Sequence, residues 1–169
     1  MSSLRTRFDS MVAAHGPAID RLCAGYERDD ARAEELRQEV WLGLWRALPS
    51  FREEASLRTW TFRVAHNIAS THVRQRVRDR STPHEQPGDD VAPDSDRGPE
   101  RQLSDAQRRQ RLRAAIARLR PIDRQLILLY LEDLPQDEIA QITGMTRANV
   151  STRIGRIKDR LVRMTKETT

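Results

Sequence analysis

Between residues 81 and 104 the sequence reads STPHEQPGDDVAPDSDRGPERQLS, with four prolines, two glycines and three apolar side chains, Val91, Ala92 and Leu103. So little apolar area cannot offset the entropy of ordering the segment, and the prolines deny it a helix. It reads as a flexible linker. The 169-residue chain is thereby cut into blocks 1–80 and 105–169, each large enough for one small core. A large enzyme scaffold is excluded.

Both blocks read as helix, because apolar residues recur at steps of three and four and do not alternate. A first helix is expected from about Arg5 to Tyr26, broken or bent near Gly16 and Pro17, where proline removes a backbone donor. A second, about Ala31 to Leu48, carries the stripe Leu36, Val40, Leu44 and Leu48, with Trp41 and Trp45 beside it and Pro49 ending it. After a polar loop from Ser50 to Ser56, a third helix runs from about Leu57 to Arg78. Its expected core face is Leu57, Trp60, Val64, Ile68 and Thr71. The second block predicts helices at about Asp105–Leu119, Pro121–Glu132, Gln136–Ile142 and Thr146–Met164. Leu112, Ile116 and Leu119 point inward on the first of these. The expected fold class is all-α, as two small helical domains on a flexible linker.

Charge divides along the same boundaries. Residues 1–80 carry +3, residues 81–105 carry −5 and residues 106–169 carry +7, and 28 of the 30 cations are arginine. Arginine offers a planar fork suited to phosphates and base edges, so a polyanion is the first partner to consider. A solvated charged surface is the plainer alternative. The start of the chain lacks the apolar run of a secretion signal, and the longest apolar run, 126–131, is too short to span a bilayer. A cytoplasmic protein without membrane insertion is expected.

The sharpest local signal is DEIAQITGMTRANVSTRI at 137–154. Ala140 is small where two helices must cross closely, Gly144 can take the positive φ of a sharp turn, and Thr146 can cap the next helix. Val150, Ile154, Ile157, Leu161 and Met164 then form the inward stripe of the last helix. Its opposite face offers a helix–turn–helix reading surface to a DNA groove. The alternative is an ordinary helical hairpin with a solvated basic face.

Two weaker signals lie in the first block. Arg63, Asn67 and Arg74 stand on the third helix away from its core face, next to aromatic residues that could stack on unpaired bases. Trp60 fits the core stripe equally well. Glu34, Glu35 and Glu39 make an acidic patch on the second helix; the helix dipole explains the first two and not the third. Catalysis finds no support: His15, His66, His72 and His84 are scattered, read as solvated or locally hydrogen-bonded, and Cys23 stands alone. No metal, cofactor or catalytic set is expected. The residues by themselves leave two other readings open. One is a stand-alone helix–turn–helix regulator binding operator DNA as a dimer, and the other a helical protein whose basic faces bind RNA or a protein inhibitor.

In their order, these pieces resemble the extracytoplasmic-function (group 4) sigma factors of bacterial RNA polymerase. EELRQEVWLGLWRALPSF at 34–51 and ASLRTWTFRVAHNIA at 55–69 are similar to the family's region 2. Residues 116–161, with LPQDEIA at 134–140, are similar to region 4. The resemblance implies a non-enzymatic subunit that directs promoter-specific initiation with core polymerase and promotes strand opening. It implies that Glu34, Glu35, Gln38 and Glu39 dock on the β′ clamp coiled coil. Phe51, Ala55, Ser56, Trp60, Arg63 and Asn67 would read the −10 element and hold a flipped base, with Arg74 and Arg76 on phosphates. Arg147, Asn149, Ser151, Thr152 and Arg156 would read the −35 element. The β flap would pack on region 4, and an anti-sigma factor is a further candidate partner.

The match has departures. Pro135 stands where the family often has a capping Ser or Thr, so the short helix must be started differently. Ser151 and Thr152 follow Val150 where the family usually has Lys or Arg. Gly155 weakens a helix interior and suggests either close approach or tolerance. Glu53 and Glu54 place acidic charge in the expected −10 reader, explained only by loop solvation.

Overall fold

A computed structural model describes residues 2–80 and 104–166; of the expected linker, 81–104, all but Ser104 lies outside the described residues. The described chain forms α1 (Ser2–Tyr26), α2 (Asp30–Ala47), a 3-10 turn (Leu48–Ser50), α3 (Leu57–Arg80), α4 (Asp105–Ala117), α5 (Pro121–Leu131), α6 (Gln136–Thr143) and α7 (Arg147–Lys166). No strand occurs among the described residues. The expected break at Pro17 is absent: α1 runs through it as one helix. The buried side chains of Met11, Ile19 and Leu22 hold its two halves to one core.

Local chemistry accounts for most helix ends. Asp29 caps α2 by accepting from the Arg32 amide at 3.0 Å. Ser104 and Gln107 form a capping box at the start of α4. Pro121 occupies the first turn of α5, where a missing amide hydrogen costs nothing. At the other end of α5 the Asp133 amide donates to the Tyr130 carbonyl at 3.0 Å and the Leu134 amide to the Leu129 carbonyl at 3.4 Å. That is a Schellman stop, with Asp133 in the left-handed region at φ 55. The cap missing at Pro135 is not replaced by another side chain. Asp137 and Glu138 in the first turn of α6 instead oppose its positive dipole end.

In the first block the predicted stripe of α2 is buried as expected: Leu36, Val40 and Leu44 are fully enclosed. The inward face of α3 is wider than expected. Thr61, Phe62, Ala65, His66 and Ala69 are buried with Trp60, whereas Leu57, Val64 and Ile68 are half-buried and Thr71 is exposed. The reason is that α3 packs on α1, α2, α5 and α6 at once, so no narrow stripe can serve it. In the second block Ile139, Ile142, Val150, Ile154, Ile157 and Leu161 close the core around α5, as the spacing predicts.

The two blocks do not stand apart. Their buried residues form one continuous core. Gly25 of α1 lies so close to α5 that a β-carbon there would run into the Leu128 side chain. Arg21 grips the Glu132 carboxylate with Nε and Nη2 at 2.6 and 2.7 Å. Arg58 donates to the Glu132 carbonyl at 3.0 Å, and the Thr59 hydroxyl to Glu138 at 3.1 Å. Buried Arg124 of α5 donates to the carbonyls of Tyr26, Ala117 and Leu119 and lies over the Tyr26 ring.

His15, His66 and His72 correct the expectation of solvated or locally hydrogen-bonded side chains, and His84 lies outside the described residues. His66 is fully buried and hydrogen-bonded to the Tyr26 hydroxyl at 2.9 Å, a partner 40 residues away. His72 lies between Glu39 and Glu27, and His15 meets the edge of Phe62. Burial pushes His66 from 6.5 down to about 3, and burial together with Arg58 lowers His15. With both groups lowered in the fold, below pH 6.5 the unfolded chain binds more protons than the native one. Their contribution to stability is complete above that pH and is lost as pH falls toward the folded values. Denaturant titrations at pH 7 and 5.5 should differ by about 1 kcal/mol for His66 alone. His66→Gln should flatten that dependence. An equally steep profile in the variant would assign the acid sensitivity elsewhere.

Burial also raises the Cys23 thiol to about 12, which leaves it inert.

Candidate nucleic-acid interface

The helix–turn–helix of α6 and α7 is built as its sequence requires. Gly144 stops α6 at φ 70, a conformation that strains any residue with a β-carbon. The Thr146 hydroxyl accepts from the Asn149 amide at 3.3 Å and starts α7. With Val150, Ile154 and Ile157 turned inward, Arg147, Asn149, Ser151, Thr152 and Arg156 are all exposed, on the face predicted for them. Arg147 is not idle there: its guanidinium donates to Asp137 at 3.2 Å. Nothing in the described chain comes within 4 Å of a β-carbon placed on Gly155. The close approach considered for this glycine is therefore not made by the protein's own residues. Ser151, Thr152, Gly155 and Arg156 are all exposed there.

The 51–56 loop and the start of α3 form a second surface. Phe51 is half-buried against Trp60, with ring centroids 5.2 Å apart. Trp60 itself is only 7% exposed and belongs to the core, so its ring supports Phe51 and offers no free face to a base. Ser56 caps α3 by accepting from the Thr59 amide at 3.0 Å. Ala55 is half-buried, Arg63 half-exposed and Asn67 exposed. Arg74 curls back onto the Ser70 carbonyl and the Thr71 hydroxyl. Arg76 is ion-paired with Glu27, a carboxylate 2% exposed, and is thereby committed to holding α3 against α1. The expected −10 set is thus gathered at one end of α3 from Phe51 to Asn67, with Arg74 and Arg76 further along and already partnered.

The acidic surface of α2 is exposed at Glu34, Glu35, Gln38 and Glu39. Its members differ in what they touch. Glu34 receives two bonds from Arg37 and one from Gln38, which hold its carboxyl below the ordinary range. Glu39 accepts from His72 Nδ1 at 3.0 Å. Among the described residues Glu35 has no hydrogen-bond or ion-pair partner. It is the one carboxylate of the patch wholly free for another molecule.

Three residues of these surfaces were not singled out by sequence: Arg7, Arg58 and Thr59. Arg7 bonds Glu53 across 46 residues, and Arg58 and Thr59 reach Glu132 and Glu138 across 74 and 79. No spacing rule marks such pairs. Among the described residues no cluster of three His, Cys, Asp or Glu side chains is placed to hold a metal, and no helix is long and apolar enough to cross a membrane.

Comparison with known proteins gives these surfaces a context. Residues 11–79 match the family description "Sigma-70 region 2", and residues 109–161 match "Sigma-70, region 4". The chain is 28% identical over 161 residues to the RNA polymerase sigma factor CnrH of Cupriavidus metallidurans, covering 91% of this chain and 84% of that one. It is 28% identical over 166 residues to the ECF RNA polymerase sigma factor SigE of Mycolicibacterium smegmatis, covering 95% of this chain and 64% of that one. Among solved structures, the fold is like that of the sigma factor RpoE from Bartonella quintana, in complex with the anti-sigma factor NepR. There the TM-score is 0.73 at 21% identity, over 95% of this chain and 97% of that one. CnrH in complex with the cytosolic domain of CnrY gives a TM-score of 0.69 at 20% identity, over 98% and 91%.

Proposed function

This chain belongs to the sigma-70 family as an extracytoplasmic-function RNA polymerase sigma factor, and from that premise we propose which of its surfaces carry each step of initiation. The protein recognises promoters and directs transcription initiation with RNA polymerase, within a family of non-catalytic initiation factors. Residues 1–80 are the unit that binds core polymerase and the −10 element, residues 81–104 the linker, and residues 105–169 the unit that binds the −35 element. Arg147, Asn149, Ser151, Thr152 and Arg156 read the −35 element in the major groove. Phe51, Ala55, Ser56, Arg63 and Asn67 read the −10 element, with Trp60 as the buried support beneath Phe51 and Arg74 and Arg76 reaching phosphates once released from their present partners. Glu35, Gln38 and Glu39 meet the β′ clamp coiled coil, with Glu34 shaping that face through Arg37. The β flap packs on the second unit.

The observation that carries this reading is the separation of roles on α7, where Val150, Ile154, Ile157 and Leu161 are buried, Met164 is half-buried at the far end, and every assigned contact is exposed. No cofactor is required. Unstacking a base costs a few kcal/mol, and capturing the extruded base on the protein offsets part of that cost. Two helices in hydrogen-bond contact, α3 through Thr59 and α6 through Glu138, cannot serve elements about 25 base pairs and roughly 85 Å apart. The two units therefore part when core polymerase holds each on its own element, and tight binding depends on polymerase fixing both at once. An anti-sigma factor that holds the units together would oppose this. The RpoE neighbour's capture with NepR supports that kind of partner.

Transcription from a defined promoter by core polymerase with and without the purified protein tests the reading. Promoter-specific transcripts should require the protein, and changing Arg147, Ser151, Thr152 and Arg156 together to Ala should remove at least about 90% of them at a −35-dependent promoter. Energy transfer between dyes on α1 and α7 should fall on assembly with core polymerase and promoter. Specific, tight duplex binding by the protein without polymerase would instead favour a stand-alone regulator.

A further inference from the structure

The loop from Phe51 to Ser56 is tied down at both ends. The Phe51 amide donates to the Leu48 carbonyl at 3.1 Å, and the Trp60 amide donates to the Ser56 carbonyl at 3.0 Å. Between these anchors Glu53 sits at φ 60, in the left-handed region that a residue with a β-carbon occupies at a cost. A non-glycine residue keeps that conformation only where its surroundings impose it. Among the described residues, the one side-chain hydrogen bond or ion pair made by positions 52–55 is that of Glu53, whose carboxylate accepts from Arg7 Nη2 at 2.5 Å. Arg7 belongs to α1, outside the loop and α3, and its guanidinium also lies 5.9 Å from the centre of the Phe51 ring. Phe51 in turn rests on Trp60. One arginine therefore braces two residues of the loop, one by charge and one through its ring, and gives Glu53 the role that solvation alone did not supply.

We propose that Arg7 is a positioning residue for promoter reading: by bridging Glu53 and Phe51 it holds the 51–56 loop in the shape that accepts an unpaired base of the −10 element. The inference rests on the assignment of this loop to the −10 element. A loop already held in its binding shape spends less of the capture energy on ordering, and it discriminates between bases because its walls do not yield. A carboxylate near the DNA backbone is tolerated because Arg7 neutralises it.

The test uses holoenzyme and fluorescent single-stranded oligonucleotides from the non-template strand of a promoter at which it starts. Each of the four bases is placed in turn at every −10 position. Arg7→Gln, Glu53→Gln and Glu53→Gly are compared with the wild type and with the exchanged pair Arg7→Glu/Glu53→Arg. At one position the single variants should compress the ratio of best to worst base by about three- to fivefold, the bias one exposed ion pair can exert. Melting temperature and affinity for core polymerase should stay at the wild-type values, and the exchanged pair, which restores the ion pair but not the cation over the Phe51 ring, should recover part of the discrimination. Parallel weakening on all four bases, with no recovery in the exchanged pair, would show Arg7 to be a phosphate contact and would overturn the brace. Unchanged affinities in every variant would reduce the pair to a surface contact and overturn it equally. A wild-type holoenzyme with no base preference at any position would instead overturn the assignment of the loop, and the inference with it.

Discussion

Glu35→Lys combined with Glu39→Lys is expected to raise the dissociation constant for core polymerase at least about tenfold, equivalent to ~1.4 kcal/mol or more. Both side chains are exposed on one face of α2, and a basic partner would lose two attractions and gain two repulsions. The structure also orders the single changes. Glu35 is unpartnered, so Glu35→Lys acts on the partner alone. Glu39 accepts from His72, so Glu39→Lys additionally removes a contact between α2 and α3. Glu34 is tied to Arg37 and Gln38, and Glu34→Lys disturbs the helix surface before it disturbs a partner. Titration of labelled protein into core polymerase, with a melting curve for each variant, separates these effects. Wild-type affinity in a folded double variant would remove the acidic face from the polymerase interface.

Trp60→Ala should have the largest effect on the protein itself, about 3–5 kcal/mol of lost stability, the range for emptying an aromatic site in a packed core. Its ring is 7% exposed, supports Phe51 and lies in the continuous core. Weakened transcription by this variant would therefore report unfolding more than lost base stacking. Asn67→Ala is the clean counterpart. Asn67 is exposed, and no side-chain hydrogen bond of its own is found among the described residues. Its loss should leave the melting temperature unchanged while weakening open complexes on a duplex promoter. Footprints on normal and pre-melted templates then distinguish reading from strand opening. Equal effects on both templates would remove Asn67 from strand opening, and a stability loss for Asn67→Ala matching that of Trp60→Ala would place it in the scaffold.

Much of this molecule was legible in one dimension because the signals are local. The step of three and four marks α2 and α7, since a helix repeats its faces within a few residues. Gly144 and Thr146 announce the turn of the helix–turn–helix through requirements that do not depend on the rest of the chain. The exposed face of α7 that we propose meets DNA follows once its apolar stripe is turned inward. The buried face of α3 was harder to read, because a helix packed on four neighbours hides small and polar residues such as Thr61 and Ala65 that carry no strong apolar signal. The histidines misled for a related reason: His66 becomes a core residue only because Tyr26 supplies a partner there.

Sequence alone determined the helical class, the acidic and basic faces and the likeness to a sigma factor. Each of these is written in spacing, turn chemistry or charge along the chain. Tertiary structure alone decided that Trp60 supports Phe51 from within the core, that Arg76 is held by Glu27, that Arg7 meets Glu53, and that α3 and α6 lie in contact. These contacts join side chains tens of residues apart. Their energies depend on distance and burial in three dimensions, and neither is a property of any short stretch of sequence.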